Sequence, residues 1–366
     1  MLGVLSAGSG TRTAYAPSTE GALVEVAGAP AAERAVESLL AAGADDVVVD
    51  GASAAVAALL ADRFPESVRD GADDADDAHP THDRVVWLPT TAVVDPGALA
   101  AAARDAPAVL CRPSEPLAPI DGPEPRPVAL PSDAFDGRPP SAAPAVAGAL
   151  AAEDALRRLE RDHVADVRRP WEYLDATEWC LAGTDGGDGV GFPGIDSATD
   201  GDVHPDAELS GPVVVPAGAT VRSGAVIDGP VALAPGATVG PNCYVRANSF
   251  ISNDTKIGAA VEIKNSVIMS GAKVPHQSYV GDSVVGPRAN VGAGSIVANL
   301  RHDDAAVTLS HAGGRVSTGR RKFGTVIGAD AKLGIGTRLN VGTVVDPGAT
   351  TAPGEVVRRD KRRGDR

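Results

Sequence analysis

The chain of 366 residues has few cysteines and few aromatic residues, and it lacks long apolar runs. Its three cysteines, Cys111, Cys180 and Cys243, are widely spaced and form no CxxC pair, so neither a disulfide framework nor a zinc site is expected. No stretch approaches the ~20 apolar residues that a bilayer span needs, and the first residues lack the basic start of a signal peptide. We therefore expect a cytoplasmic protein with buried thiols and no membrane partner.

Positive charge is also scarce, because 33 Lys and Arg face 48 Asp and Glu and leave a net charge of -15. Such a surface repels phosphate backbones, so nucleic acid is not expected as a partner. Residues 1–170 carry a net charge of -13 and residues 171–366 only -2, and all six lysines follow residue 255. Hydrated carboxylates keep proteins soluble in high salt, so the bias favours a halophilic source over the alternative of a high-GC genome.

Aliphatic residues recur every six positions through the second half of the chain. From Val203 to Ile263, eleven positions in steps of six are Val, Leu or Ile, and a small or β-branched residue stands four places after each of the first ten. With two five-residue steps the pattern continues to Val297, and it returns from Ile327 to Val345. Helices repeat every 3.6 residues and simple strands every two, so this period predicts short strands joined by turns, three to a coil.

This pattern resembles the hexapeptide-repeat, left-handed parallel β-helix, in which aliphatic side chains from three sides fill a triangular prism. The resemblance covers about 155 residues with one break at residues 299–325, which are too polar for the prism and are predicted to form a protruding loop. It implies a homotrimer, because members of this architecture commonly pack side by side and bind ligands in the grooves between subunits.

The first half of the chain has a different pattern. Residues 3–12 predict a short buried strand followed by a glycine turn, residues 30–42 an amphipathic helix, and residues 46–50 a second strand. Further strands are predicted at residues 84–88 and 108–111, with helical segments between them. This alternation predicts an α/β, Rossmann-like domain.

The string LSAGSGTR and the thirty residues from Glu20 onward resemble the start of the sugar-1-phosphate nucleotidylyltransferases, whose pattern is L-A-A-G-x-G-T-R and then P-K-x-L-x-x-V-x-G-x-P. The family's proline and substrate-binding lysine fall on Glu20 and Gly21, and no lysine precedes residue 256. The resemblance leaves a remnant of the nucleotide-binding turn at four positions: Gly8, Gly10, Thr11 and Arg12.

The family's metal-binding aspartate is also missing. It would follow the strand at residues 84–88 in a G-D pair, where this chain has Pro89, Thr90 and Thr91. Hydroxyls are poor substitutes for the carboxylate oxygens that hold Mg²⁺, although Asp95 is a candidate for a displaced ligand. We therefore expect no metal site, no Mg²⁺ and a degenerate domain whose nucleotidylyltransferase activity is lost.

The string PWEYLDATEWCL at residues 170–181 resembles the joining segment P-W-x-L-L-x-A-N-x-W-L-L of archaeal bifunctional sugar nucleotidylyltransferase/acetyltransferases. We therefore divide the chain into four parts. They are a degenerate nucleotidylyltransferase-like domain with its joining helix at residues 1–182, a linker at 183–202, a β-helix acetyltransferase domain at 203–357 and a basic tail at 358–366.

Residues 244–304 contain K-x-x-H-x-x-Y-x-G-D and then N-x-G-A-G-x-I-x-x-N. These strings resemble the acetyltransferase domain of bifunctional glucosamine-1-phosphate acetyltransferase/N-acetylglucosamine-1-phosphate uridylyltransferase, more closely its archaeal form. The resemblance implies that His276 is the catalytic base and that Asn299 orients the reactants across the subunit boundary. It places substrate contacts at five positions: Arg246, Glu262, Lys264, Tyr279 and Asn290.

The chemistry of acetyl transfer fits these residue types. An amino sugar attacks a thioester only when its amine is uncharged, so a base near neutrality has to take the proton, and histidine suits this role. The Gly-Ala-Gly turn at residues 292–294 can offer a backbone N–H to the oxyanion, which makes Ala293 a catalytic and cofactor contact. Among the later cations, Lys322 and Arg359 are predicted to bind the phosphates of acetyl-CoA.

The sequence thus favours an acetyl-CoA-dependent N-acetyltransferase acting on glucosamine-1-phosphate, or its galactosamine epimer, in UDP-N-acetylhexosamine biosynthesis. Two alternatives stay open. One is a sugar-1-phosphate nucleotidylyltransferase that has relocated its lysine and metal ligands and uses the β-helix to trimerise. The other is a non-catalytic scaffold or regulatory paralogue.

Overall fold

The structure is a computed structural model that describes residues 1–6, 12–13, 15–20, 24–70, 82–111, 126–135, 143–152, 155–160, 162–184, 192 and 194–365. The chain first forms an α/β domain and then a three-sided stack of short parallel strands. Among the described residues, no helix is long and apolar enough to cross a membrane.

The described part of the α/β domain contains five helices and thirteen strands. The helices are α1 (Ala31–Ala41), α2 (Ala54–Arg63), α3 (Pro96–Arg104), α4 (Ala143–Ala152) and α5 (Pro170–Ala182), with a 3-10 turn at Ser132–Phe135. The strands are β1 (Leu2–Ser6), β2 (Arg12–Thr13), β3 (Ala16–Glu20), β4 (Glu25–Val26), β5 (Ala29–Pro30), β6 (Asp46–Asp50), β7 (Val68–Asp70), β8 (Arg84–Pro89), β9 (Ala92–Val94), β10 (Ala108–Cys111), β11 (Val128–Pro131), β12 (Arg157–Glu160) and β13 (Val164–Asp166). The predicted first helix is confirmed by α1, and the predicted strands are confirmed by β1, β6, β8 and β10.

Seven of these strands form the central sheet in the order β12-β10-β11-β8-β1-β6-β7. Strand β1 pairs in parallel with β6 and β8, whereas β11 runs antiparallel to β8 and β10. Helix α1 packs on the sheet because its apolar residues, including Val36 and Leu39, lie on one face and are fully buried. Ser6 is in register with Pro89, so the carboxyl ends of β1 and β8 lie side by side.

The second part of the chain folds into coils of three short strands. The strands are β14 (Ala198–Thr199), β15 (Asp202–Val203), β16 (Glu208–Ser210), β17 (Val213–Val215), β18 (Thr220–Val221), β19 (Val226–Asp228), β20 (Val231–Leu233), β21 (Thr238–Val239), β22 (Tyr244–Arg246), β23 (Ser249–Ile251), β24 (Lys256–Ala259), β25 (Glu262–Lys264), β26 (Val267–Ile268), β27 (Lys273–His276), β28 (Tyr279–Gly281), β29 (Val284–Val285), β30 (Ile296–Val297), β31 (Thr308–His311), β32 (Gly314–Ser317), β33 (Thr325–Ile327), β34 (Arg338–Leu339), β35 (Thr343–Val345) and β36 (Val356–Val357).

All but β31 and β32 form three parallel sheets, which are the sides of the prism. Face 1 is β14-β17-β20-β23-β26-β29-β33-β35, face 2 is β15-β18-β21-β24-β27, and face 3 is β16-β19-β22-β25-β28-β30-β34-β36. Pairs such as Ile227 with Val245 are eighteen residues apart, which is three hexapeptides, and these inward side chains are fully buried. The predicted fold class, a Rossmann-like α/β domain followed by a left-handed parallel β-helix, is confirmed.

The strand pairing extends past both ends of the predicted β-helix range. Strand β14 pairs with β17 although it lies inside the predicted linker. Lys361 forms a parallel bridge with Val345, and its ammonium group is buried in an ion pair with Glu355 at 2.8 Å. The end of the chain up to Lys361 therefore packs on the prism, and the division into domains stays a prediction.

Face 1 is covered by the α/β domain. Its outward side chains, such as Phe250 and Met269, are apolar and form one buried cluster with Tyr15, Trp171 and Tyr173 of the first domain. A strand of the first domain adds polar contacts, since Glu25 accepts hydrogen bonds from the hydroxyl of Ser252 and from the amide of Asn253. The first domain and the β-helix therefore share a core, and faces 2 and 3 are left for other contacts.

The predicted loop at residues 299–325 leaves the prism between β30 and β33. It contains the antiparallel hairpin β31–β32, which the sequence reading did not predict. Val307, Leu309 and Phe323 of this segment are buried in the same cluster as Trp171. The loop is thus packed against the first domain.

Candidate functional site

His276 is the last residue of β27, where the chain turns from face 2 to face 3. Gln277 makes the turn with a φ of 47°, and the side chain of His276 is exposed. The Gly294 N–H donates to the His276 carbonyl at 3.1 Å, which places the 292–294 turn of the next coil beside the histidine. The structure therefore brings His276 and Ala293 together, and it makes Gly294 unsuitable as an oxyanion donor.

Polar side chains cover the middle of face 3 in two parallel rows. Tyr244, Glu262 and Tyr279 occupy equivalent positions in successive coils. Arg246 and Lys264 form the neighbouring row, which ends at Gly281. Because all five side chains project outward from one sheet, the predicted substrate contacts other than Asn290 share this face.

Arg246 is held between two of these neighbours. Its guanidinium donates to Glu262 at 3.1 Å and lies 5.6 Å from the centroid of the Tyr244 ring. Hydrogen bonding to Glu262 raises the pKa of Arg246, although burial acts in the opposite direction. Both members of the ion pair are about 40% exposed, at 41% and 37%, so the pair can open to admit a ligand.

Lys264 contacts Asp282, which sequence reasoning missed. The Asp282 carboxylate accepts from the Lys264 ammonium at 3.0 and 3.1 Å, from the Asn265 amide at 2.8 Å and from the Asn299 amide at 2.5 Å. Asp282 is 1% exposed, and a buried carboxylate costs stability unless such partners surround it. The sequence did contain a sign of this role, because Asp282 is the acidic residue that ends the string K-x-x-H-x-x-Y-x-G-D.

Tyr279 and Asn299 meet above Gly281. The Asn299 amide nitrogen donates to the Tyr279 hydroxyl at 3.0 Å as well as to Asp282, so both of its hydrogens are used. Its side-chain oxygen accepts from none of the described residues. Burial and the carboxylates of Asp282 and Glu262 raise the pKa of Tyr279, which keeps the phenol protonated and able to donate. A methyl group on Gly281 would lie 2.3 Å from the Tyr279 hydroxyl and 2.9 Å from the Asn299 amide nitrogen.

We call these six residues the face 3 cluster: Arg246, Glu262, Lys264, Tyr279, Asp282 and Asn299. A cavity of about 320 Å³ opens beside the cluster. It is lined by Asp228, Tyr244, Arg246, Ala247, Asn248, Lys264 and Asn265. The cavity therefore offers two cationic groups, two amides and a carboxylate, that of Asp228, which already accepts from the Tyr244 hydroxyl at 2.5 Å.

The other predicted β-helix residues lie outside the cluster. Asn290 forms bridges with Lys273 and Lys332 on face 2, so it does not share a face with Tyr279. Lys322 is exposed at the base of the loop, opposite Leu300 in an antiparallel bridge. Arg359 is exposed after β36.

The predicted nucleotide-binding remnant falls largely outside the described residues. Gly8, Gly10 and Thr11 lie there, and Arg12 is described only as the first residue of β2. The structure does describe the end of β8, where Thr90 and Thr91 are fully buried. Neither hydroxyl has a hydrogen-bond partner among the described residues.

The carboxylate of Asp95 is used in hydrogen bonds within the first domain. As the N-cap of α3 it accepts from the backbone N–H groups of Gly97 at 2.9 Å and Ala98 at 3.2 Å, and its second oxygen accepts from the Thr184 hydroxyl at 2.7 Å. One oxygen of Asp95 therefore caps α3 and the other accepts from Thr184, which argues against a displaced metal ligand. The part of the chain that the structure describes holds no group of three or more His, Cys, Asp or Glu suited to a metal ion.

Known proteins are similar to parts of this chain. The family model described as the GMPPB C-terminal domain matches residues 227–349. The bifunctional sugar-1-phosphate nucleotidylyltransferase/acetyltransferase of Sulfurisphaera tokodaii is 40% identical over 223 residues, 58% of this chain and 53% of that protein. The bifunctional protein GlmU of Methanococcus vannielii is 38% identical over 202 residues, 52% of this chain and 46% of that protein.

The chain thus spans about half the length of the curated relatives it matches. A solved structure of LpxA, a UDP-N-acetylglucosamine acyltransferase from Bacteroides fragilis 9343, has 15% identity and a TM-score of 0.30 over 41% of this chain and 65% of that chain, a likeness too low to carry an argument. The resemblance to bifunctional sugar-1-phosphate nucleotidylyltransferase/acetyltransferases is confirmed, and the range of the family model includes His276 and the whole face 3 cluster.

Proposed function

We propose that the β-helix transfers the acetyl group of acetyl-CoA to the amine of glucosamine-1-phosphate or galactosamine-1-phosphate. The observation that carries this proposal is the face 3 cluster, which sets two cations, a protonated phenol and an oriented amide on one face, with an exposed histidine at the edge. Curated relatives named for acetyltransferase and nucleotidylyltransferase functions support a transferase of this type.

The proposed reaction assigns each group a step. The amine nitrogen attacks the thioester carbonyl and forms the N–C bond, while His276 takes the amine proton. The Ala293 N–H donates to the oxyanion, which collapses as the C–S bond breaks, and coenzyme A leaves as a thiolate that is then protonated. The side-chain carbonyl oxygen of Asn299 accepts a hydrogen bond from the attacking amine.

Substrate binding rearranges the pairs on face 3. The sugar phosphate replaces Glu262 as the partner of Arg246, because both groups are anions and this pair is partly exposed. Glu262 is then released to accept from a sugar hydroxyl or from the amine. Lys264 and Tyr279 complete the sugar-phosphate contacts on face 3, and Asn290 adds its contact from face 2 of a neighbouring copy. Lys322 and Arg359 bind the phosphates of acetyl-CoA.

A homotrimer completes the proposed site. His276 ends a strand of face 2, at one edge of face 3, and the face 3 cluster reaches the opposite edge, where Asp282 begins the turn toward face 1. A site that uses both edges of face 3 can form between two copies. The edge that carries His276 in one copy then lies against the edge that carries Asn299 in the other. Exposed Ile296, Ile335 and Val356, at 45%, 63% and 51%, give face 3 and its border the apolar surface that such packing buries.

The first domain is proposed to have lost nucleotidylyl transfer. Its missing lysine and aspartate, the buried Thr90 and Thr91 and the helix-capping role of Asp95 support this reading. Its proposed extent is residues 1–182, followed by the linker at 183–202, the acetyltransferase domain at 203–357 and the basic tail at 358–366. Its present contribution is to cover face 1.

Release of free thiol from acetyl-CoA tests the proposal. The full chain is expected to release thiol with glucosamine-1-phosphate or galactosamine-1-phosphate, and much less with the same amino sugars lacking the phosphate, because Arg246 and Lys264 then lose their ligand. A chain that releases thiol equally well with and without the phosphate would contradict the assigned roles of these cations. Absence of thiol release with every amino sugar would overturn the proposed function.

A further inference from the structure

The loop that carries Asn299 closes on itself at its base. The Phe323 N–H donates to the backbone carbonyl of Asn299 at 3.0 Å, and Leu300 pairs with Lys322 in an antiparallel bridge. The next amide, that of Gly324, donates to the Asp282 carbonyl at 2.8 Å. The backbone at residues 322–324 therefore fixes where Asn299 enters the face 3 cluster.

The same base is tied to the first domain by Arg320. Its guanidinium donates to the carboxylates of Asp175 and Glu178 on α5, and its side chain is only 15% exposed. Burial lowers the pKa of Arg320, but the carboxylates of Asp175 and Glu178 raise it by more. The pKa of Arg320 therefore lies above its ordinary value. The Asp282 carboxylate also raises the pKa of Arg320.

Apolar contacts hold the loop against the same helix. His311 meets the Trp171 ring edge to face at 5.2 Å between centroids, and Phe323 is fully buried in the cluster that contains Trp171 and Tyr173. Val307 donates its N–H to the Arg320 carbonyl at 2.9 Å, which links the hairpin to the base. Helix α5 is therefore the surface against which the Asn299 loop is set.

We propose that Arg320, through Asp175 and Glu178, is a positioning residue for Asn299, so that a helix of the first domain orients a group of the acetyl-transfer site. The proposal rests on the proposed function for its catalytic consequence, but its structural content stands on the contacts of the loop. It gives the first domain a use that does not require a working nucleotide site.

The strength of this link follows from its burial. A buried ion pair holds a definite geometry, and removing one partner leaves an uncompensated charge, so the remaining groups move toward water. Displacement of a reacting group by about 1 Å can cost 10²-fold in rate, whereas binding of a substrate that other residues hold changes less. Loss of the link should therefore lower kcat more than it raises KM.

Three variants of the full chain test the proposal: Arg320→Gln, the pair Asp175→Asn with Glu178→Gln, and Arg320→Lys. The control is Arg288→Gln, which removes an exposed ion pair with Asp330 on the same β-helix. Amide hydrogen exchange is followed at Phe323 and Gly324, and thiol release gives kcat and KM for the sugar phosphate.

We expect exchange at both amides to speed up about tenfold or more in the first two variants, and kcat to fall about tenfold with KM changed less than threefold. Arg320→Lys should recover part of both effects, and Arg288→Gln should show neither. Unchanged exchange in Arg320→Gln, or faster exchange with an unchanged kcat, would overturn the proposal. Faster exchange in a chain whose wild type releases no thiol would instead reject the proposed function and leave the positioning of the loop standing.

Discussion

The carboxyl end of β8 and face 3 of the β-helix differ in what their polar groups contact. At β8, the hydroxyls of Thr90 and Thr91 are buried without described partners, and the carboxylate of Asp95 caps a helix. On face 3, Asp282 alone accepts from three side chains, and Arg246 is paired with Glu262. A buried hydroxyl without a partner costs stability, whereas a fully paired cluster holds its polar groups in fixed positions.

The largest expected effect is that of His276→Ala, which tests whether face 3 catalyses at all. A positioned general base contributes about 10²–10⁴-fold, so kcat for thiol release should fall by that factor with a smaller change in KM. Raising the pH should recover part of the rate, because more of the substrate amine is then neutral. His204→Ala, an exposed histidine on an early coil, should have no effect. A His276→Ala variant with near wild-type kcat at neutral pH would make the histidine structural.

Gly281→Ala should lower kcat about 10- to 100-fold, because the new methyl group would displace the Tyr279 hydroxyl and the Asn299 amide that lie over this glycine. The matched control is Gly314→Ala, where the methyl group would meet nothing within 4 Å. Steady-state kinetics on both variants, with a thermal unfolding curve to show that each is folded, measure the difference. Equal kcat in the two variants would contradict the assigned roles of Tyr279 and Asn299.

Arg246→Ala should raise KM for the sugar phosphate about tenfold and change kcat little. Its phosphate contact is made in the ground state and in the transition state alike, so its loss weakens both equally. Arg222→Ala, which removes an exposed arginine directly after the face 2 strand β18 of an earlier coil, is the control. A large fall in kcat with constant KM would place Arg246 in the chemical step instead of in binding.

The smallest expected effect is at β8. Thr90→Val should raise the free energy of unfolding by about 1 kcal/mol, because it removes a buried hydroxyl without a described partner, and thiol release should not change. Thr177→Val is the control, since that buried hydroxyl donates to the Tyr173 carbonyl at 2.8 Å and its loss should destabilise the chain by about 1 kcal/mol. Urea midpoints compare the two. A destabilised Thr90→Val would show that this hydroxyl has a partner.

The β-helix could be predicted from the sequence because inward aliphatic residues recur about every six positions along its coils. Each hexapeptide places one aliphatic residue inside the prism and a small residue after it. Three hexapeptides make one coil, so Ile227 is expected to pair with Val245, eighteen residues later. The first strands could also be predicted from their local apolar runs, and the joining helix from the resemblance of its string at residues 170–181 to a known joining segment.

The contacts within the site could not be predicted in the same way. Asp282 acquires its role from Lys264 and Asn299, which lie eighteen and seventeen residues away and meet it only once the coils are stacked. The hairpin in the loop did leave a signal, the Gly313–Gly314 pair between two runs of β-prone residues. The ion pair of Arg320 with Asp175 joins residues 145 positions apart, and no local pattern marks it.

Thiol and pyrophosphate release are measured in parallel on one preparation of the full chain, to decide whether the β-helix or the first domain carries the transferase activity. With acetyl-CoA and an amino-sugar 1-phosphate, we expect steady release of thiol. With a nucleoside triphosphate, Mg²⁺ and a sugar-1-phosphate, we expect no pyrophosphate above background, because the lysine and aspartate of the first domain are missing. Single electrostatic contacts of this kind are each worth ~3 kcal/mol of transition-state stabilisation. Pyrophosphate release at ordinary turnover, or absence of thiol release with both hexosamine epimers, would contradict it.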